Sequence, residues 1–323
     1  MKALSSMDFS LRLKHRRVIL KHRRVIWVRA AAAILLSFGS TGAHLPANAA
    51  LQAFQFPDHL VPEIDGDLSD WEVLTPSYIV PSAAFSDLVA DASPTGAPAD
   101  FSVRLMVGWS ETQNKLFVAA RVEDDLHQVD RPAGTAAERI FQDDDMEIFV
   151  DADHSGGQFA DFSELSQEEQ LRRNGTAASH FVIAGPPPDE DFFVNFSAAS
   201  WYALPDGPFT QAAFALDGSV GGPAVMSYEI ALVPFDRVDI AASFLSVEHD
   251  LTEGETLGFN AEFGDFDSSS ELLDAKWSLS GGQNGFRLSE RFTDLLLMPL
   301  EPHLRPTGVT ARSWARIKSS FAK

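Results

Sequence analysis

Strict two-residue alternation in the middle of the chain limits the fold more than any other feature. Phe101, Val103, Leu105, Val107 and Trp109 alternate with Ser102, Arg104, Met106 and Gly108. Successive side chains of a strand point to opposite faces, so this run predicts a half-buried strand. Glu111-Thr112-Gln113-Asn114 predicts a hairpin turn, and Leu116, Val118, Ala120 and Val122 predict the return strand. The pattern recurs in Met226–Leu232, which Pro234 ends, and in Leu257–Gly264. His180–Ala184, Phe192–Phe196, Ala212–Leu216 and Leu295–Met298 read as further strands, with breakers at Pro186-Pro187-Pro188 and Asp217–Pro223. Only Ser163–Arg173 carries helix formers, ending at Asn174-Gly175. The Ala-, Pro- and Ser-rich stretch 81–100 reads as a loop. About ten strands at this spacing predict an all-β fold: an antiparallel two-sheet β-sandwich, jelly-roll or immunoglobulin-like, with one short inserted helix.

One strand differs from the rest. Phe141-Gln142-Asp143-Asp144-Asp145 leads into Met146-Glu147-Ile148-Phe149-Val150-Asp151 and then a turn at Gly156-Gly157. Met146, Ile148 and Val150 share a face, while Glu147, Phe149 and Asp151 share the other. The second face is expected to look into a groove in water, with Phe141 just upstream.

The ends of the chain do not read as sandwich. Residues 1–49 hold nine of the 25 basic residues and one of the 46 acidic ones. A short apolar run, Ala30–Phe38, and Ala47-Asn48-Ala49 follow the basic part, which is the layout of an export signal cleaved near Ala49. That apolar run is too short to span a bilayer, which takes about 20 residues. The tandem repeat LKHRRVI at 13–19 and 20–26 fits either a twin-arginine signal or an ordinary secretory one. Past Ala49 remain 16 bases against 45 acids, a formal charge of −29. Such a surface repels nucleic acid and anionic lipid. No cysteine is present, so the exported fold is held by its core alone. Residues 303–323 carry five bases and no acid, with Trp314, Ile317 and Phe321 at helical spacing. They read either as a sorting or docking peptide or as a frayed end lying on the acidic domain.

IDGDLSDWE, VGWSETQNKLFVAARVEDD, QDDDMEIFVDAD, YEIALVPFD and LGFNAEFGDFD follow one another across residues 62–300. Their order resembles family 9 carbohydrate-binding modules and their DOMON-like relatives. The resemblance implies a non-catalytic β-sandwich over 50–302 that binds a saccharide or polysaccharide between two aromatic rings, often with structural Ca²⁺. It places the rings at Phe141 and Phe286, and the hydroxyl-accepting groups at Glu147, Asn260 and Glu262. Gln283 and Asn284 stand just ahead of the second ring. Where the family shows an arginine and an amide on the middle strand, this chain has Phe181 and Ile183, and the nearest polar side chain is His180.

A pyranose has apolar faces and a belt of hydroxyls, so it stacks on rings while carboxylates and amides take its hydrogen bonds. Two such contacts and two or three charged hydrogen bonds, less the cost of association, give binding on the order of micromolar to millimolar. In a chain with 25 Phe the same two rings could instead be core, and exposure separates the readings. Acidic pairs next to turns supply oxygen donors suited to Ca²⁺. Asp151 and Asp153 rank first, with Asp143, Asp265 and Asp267 behind them, and Asp144, Asp145, Asp124 and Asp125 in the same runs. A DOMON-like haem module would need an axial pair from Met146, Met226 and His180. Glu147 with Glu262 could form a glycosidase-type pair. No nucleophile elbow or phosphate loop is present, so no turnover is expected.

Overall fold

A computed structural model describes residues 50–90, 100–130, 137–185, 192–195, 199–268 and 273–305. The export-signal reading of 1–49 and most of the basic tail lie outside them. Among the described residues no helix is long and apolar enough to cross a membrane.

The first strands are β1 (Leu51–Gln55), β2 (Ile79–Pro81), β3 (Ser86–Asp87), β4 (Phe101–Ser110) and β5 (Lys115–Asp124). Next come β6 (Asp145–Asp151), β7 (Ser179–Ala184), β8 (Phe192–Asn195), β9 (Thr210–Gly218) and β10 (Ala224–Leu232). The last are β11 (Phe235–Arg237), β12 (Val247–Glu248), β13 (Thr256–Asp265), β14 (Ala275–Ser278) and β15 (Thr293–Leu297). One layer runs β8-β7-β6-β13-β15, with β14 beside the far end of β13; the other runs β4-β5-β10-β9.

The inward faces meet in one core. Val103, Leu105, Val107 and Trp109 of β4 and Met226, Tyr228 and Ile230 of β10 lie against Met146, Ile148 and Val150 of β6 and Phe259, Ala261 and Phe263 of β13. The predicted hairpin is present in register, with Ser110 opposite Lys115 and Phe101 opposite Asp124. The all-β sandwich is therefore the observed fold.

The details correct several expectations. The sandwich is not purely antiparallel: β1 pairs parallel with β15 through Leu51–Ala53 and parallel with β4 through Phe54 and Gln55. One five-residue strand thus joins both layers, and alternation alone says nothing about strand direction. The 81–100 stretch is not all loop, since Ser86 and Asp87 pair with Ser278 and Trp277. The helix α1 spans only Gln167–Arg173, because the Ser166 hydroxyl caps it by accepting from Glu169 N.

The far side of β6 is not open to water along its length. Phe149 and Asp151 are fully buried, Phe149 among Phe159, Ala178 and Phe292. On the other layer, residues 56–78 cover the outer face, where Trp71 and Tyr78 join Phe54, Phe56 and Phe117. Gly108 is required there: a Cβ at that position would stand 2.2 Å from the Phe56 ring. Trp71 donates from Nε1 to Glu229 (2.8 Å), which also accepts from Gly66 N (2.7 Å) and Asp65 N (3.1 Å).

Candidate functional site

Three neighbouring strands place polar side chains on the outer face of the first layer. Glu147 of β6 stands opposite Glu262 of β13, and Glu262 stands opposite Ser278 of β14. Their inward neighbours seal the core, so these groups point outward by alternation. Lys276, two residues before Ser278, shares that face. Its Nζ reaches over β13 to pair with Glu147 Oε1 and lies 3.6 Å from Glu262 Oε2.

Every group in this set is oriented by a neighbour. His180 Nε2 lies 2.5 Å from Glu147 Oε2, and its ring stacks on Phe149 at 4.0 Å between centroids. Glu262 Oε1 accepts from Asn260 Nδ2 (2.9 Å) and Ser278 Oγ (3.0 Å), while Asn260 Oδ1 accepts from Ser280 N (2.9 Å). Burial pushes the carboxyl of Glu147 up, but Lys276 and His180 outweigh it and hold the group below the ordinary range. Burial wins at Glu262, whose carboxyl is raised, and at His180, whose imidazole is lowered toward the neutral form. Burial lowers the ammonium of Lys276, yet Glu147, Glu262 and Asp145 raise it overall, so it stays charged.

A cavity of about 610 Å³ opens above this floor. Phe141 and Phe286 stand in its walls at 41% and 48% exposure, which excludes the reading of both as core rings. Leu88, Val89 and Leu273 complete the apolar part. The loop 280–287 supplies Gln283, Asn284 and Phe286. Gln283 Nε2 donates to Leu88 O (3.0 Å), and Asn284 adopts the left-handed φ of 67°. Gly285 crosses directly over the floor, where a Cβ would stand 3.2 Å from Glu262 Oε1.

Phe141, Glu147, His180, Glu262, Gln283, Asn284 and Phe286 thus line one cavity, and Asn260 lies buried beneath it. The main residue missed from sequence is Lys276. Trp277 packs on Phe101 of the core at 5.9 Å and so turns its neighbour Lys276 outward, a placement that only the structure shows. Phe181 and Ile183 face the core.

The acidic residues sort differently. Carboxylate oxygens of Asp124, Asp265 and Asp267 converge within 4.8 Å, as do Asp124 and Asp144 with His127, and Asp100 and Asp125 with Asp267. Buried oxygens Asp124 Oδ2 and Asp267 Oδ1 have no hydrogen-bond partner among the described residues. Burial pushes Asp144 up to about 9, helped by Asp124, and Asp265 up to about 8, helped by Asp124 and Asp144. An all-carboxylate set with orphaned oxygens fits a hard cation. Asp151, Asp153 and Asp143 lie outside these groups. Asp151 accepts from Ser155 N and Gly156 N, Asp153 from Ser155 N, and Asp143 from Asp130 N.

The structure does not assemble the axial pair that the haem reading needs from Met146, Met226 and His180. Met146 and Met226 are packed in the core, whereas His180 is on the outer face of β7, across the sheet from Met146. No Met–His axial pair can form from these residues.

No protein-family model matches the chain, and no curated protein does. Among solved structures, it is similar to a family 9 carbohydrate-binding module from Caldicellulosiruptor kristjanssonii in complex with cellotriose. The identity is 14% over 79% of this chain and 97% of that one, with a TM-score of 0.48. A family 9 module from the same organism in complex with glucose matches at 13% identity over 79% and 98%, with a TM-score of 0.47.

Proposed function

We propose that this chain is an exported, non-catalytic module that binds a neutral saccharide in the cavity between Phe141 and Phe286. The single observation that carries this reading is the combination of two half-exposed rings with a floor of mutually oriented carboxylates, lysine and amide. Sugar faces would lie against Phe141 and Phe286, and hydroxyls would bond to Glu147, Glu262 and Lys276. Lys276 supplies the cationic donor that Phe181 and Ile183 do not. About 610 Å³ suits one or two sugar rings.

Lys276 engages both carboxylates, and Glu147 is held ionised, which favours hydroxyl binding over acid–base work on a glycosidic bond. The proposed organisation is a cleaved export signal over 1–49, the binding module over 50–302 and a basic tail over 303–323. Ca²⁺ would be held by Asp124, Asp144, Asp265 and Asp267, where it would neutralise buried charge and tie the start of β6 to the end of β13. Calorimetry of the full chain against neutral mono- and disaccharides, with and without EDTA, tests the function. Micromolar-to-millimolar binding of at least one sugar is expected, and no binding at millimolar concentration overturns it.

A further inference from the structure

The outer face of the other layer, opposite the saccharide cavity, carries a second depression of about 640 Å³. Arg104 of β4 stands directly opposite Arg121 of β5, and Arg121 stands opposite Ser227 of β10. The three side chains share the outer face and line the depression as one row. Like charges in directly opposed positions destabilise a sheet. This pair also falls in a domain with 45 acids against 16 bases past residue 49. Arg121 pairs with Glu123 on its own strand, whereas Arg104 has no ion pair among the described residues. The floor beside the row is apolar, with Met106 and Ile79. Two carboxylates, Asp67 and Glu72, also line the depression, and Asp67 Oδ1 accepts from Ser69 N.

We propose that this depression is a second glycan site, for a sugar residue that carries an oxyanion, either carboxylate or sulfate. The oxyanion takes the two guanidiniums, whose planar donor forks match it and whose mutual repulsion it relieves. The ring lies on Met106 and Ile79, and its hydroxyls reach Ser227 and Asp67. The two sites occupy opposite faces of the sandwich, so the module bridges a neutral sugar to an acidic glycan.

The test is calorimetry of the full chain with an oligogalacturonate (carboxylate arm), a chondroitin sulfate oligosaccharide (sulfate arm) and a neutral maltooligosaccharide of similar length. At least one acidic arm binds, and the stronger arm identifies the oxyanion. Binding weakens with added salt and falls about tenfold or more in R104Q and in R104Q/R121Q. Phe286→Ala leaves it unchanged, which separates this site from the first cavity. R104Q breaks no ion pair, and its melting temperature reports an intact fold. Binding by neither acidic arm, equal binding of the neutral control, or undiminished binding by R104Q/R121Q overturns the proposal. Loss in Phe286→Ala would do the same, by placing the acidic ligand in the first cavity.

Discussion

Lys276 on β14 pairs with Glu147 on β6 across the full width of the strand between them. Both carboxylates it touches are buried, at 2% exposure for Glu147 and Glu262. Removing one partner of a buried ion pair leaves an uncompensated charge, which typically costs about 3–5 kcal/mol. Lys276→Met should therefore lower unfolding stability by roughly that amount. Adding Glu147→Gln should recover part of the loss, and urea denaturation of the single and double variants measures it.

Phe141 and Phe286 contribute little to stability because both stand 41% or more exposed. Each should contribute about 1 kcal/mol to a stacked sugar, a factor of about five in affinity. Phe141→Ala and Phe286→Ala are each expected to weaken saccharide binding about fivefold with nearly unchanged melting temperatures. Calorimetry beside a thermal melt reads both quantities.

The acidic cluster predicts an unusual pH profile. In the metal-free fold burial raises Asp144 to about 9 and Asp265 to about 8, from 3.8. The folded state then binds more protons than the unfolded one between those limits. This contribution to stability is complete below about pH 4 and is lost as pH rises through 8 to 9. EDTA-treated protein should thus melt at falling temperature as pH rises from 5 to 9. Ca²⁺ should restore it, most at the alkaline end, because the cation takes the place of the protons. A flat profile with no calcium effect would remove the metal from the account.

Glu229 holds the N-terminal cover through three N–H donors, those of Trp71, Gly66 and Asp65. Glu229→Ala leaves them buried without an acceptor and should cost about 3 kcal/mol. Its position on the opposite layer predicts unchanged saccharide affinity. Denaturation and calorimetry on the same sample separate the two effects.

Much of the cavity was legible because Glu147, Asn260 and Glu262 belong to strands whose alternation fixes their face, whereas Phe141 stands in the 3-10 turn Ala137–Gln142 ahead of β6 and was placed by the resemblance alone. Lys276 was not legible, since β14 is four residues long and shows too little alternation to be read as a strand. Leu88 and Val89 were hidden for the same reason, beside the two-residue strand Ser86–Asp87 in a stretch with loop composition. The cation cluster illustrates a different limit. Asp151 and Asp153 are close in sequence, yet loop N–H groups satisfy them. The converging carboxylates come from positions as distant as Asp124 and Asp267. Spacing cannot report such a meeting, which brings the end of β5 in one layer beside the end of β13 in the other. The parallel partners of β1 escaped notice because apolar periodicity carries no direction.

The most direct test of the central claim is amide chemical-shift mapping as a neutral disaccharide panel is titrated to millimolar concentration. The saccharide account predicts that at least one sugar shifts the amides of Lys276, Gly285 and Phe286 together and leaves those of Arg104 and Ser227 in place. Absence of shifts with every sugar, or shifts confined to residues away from the Phe141–Phe286 cavity, would contradict it.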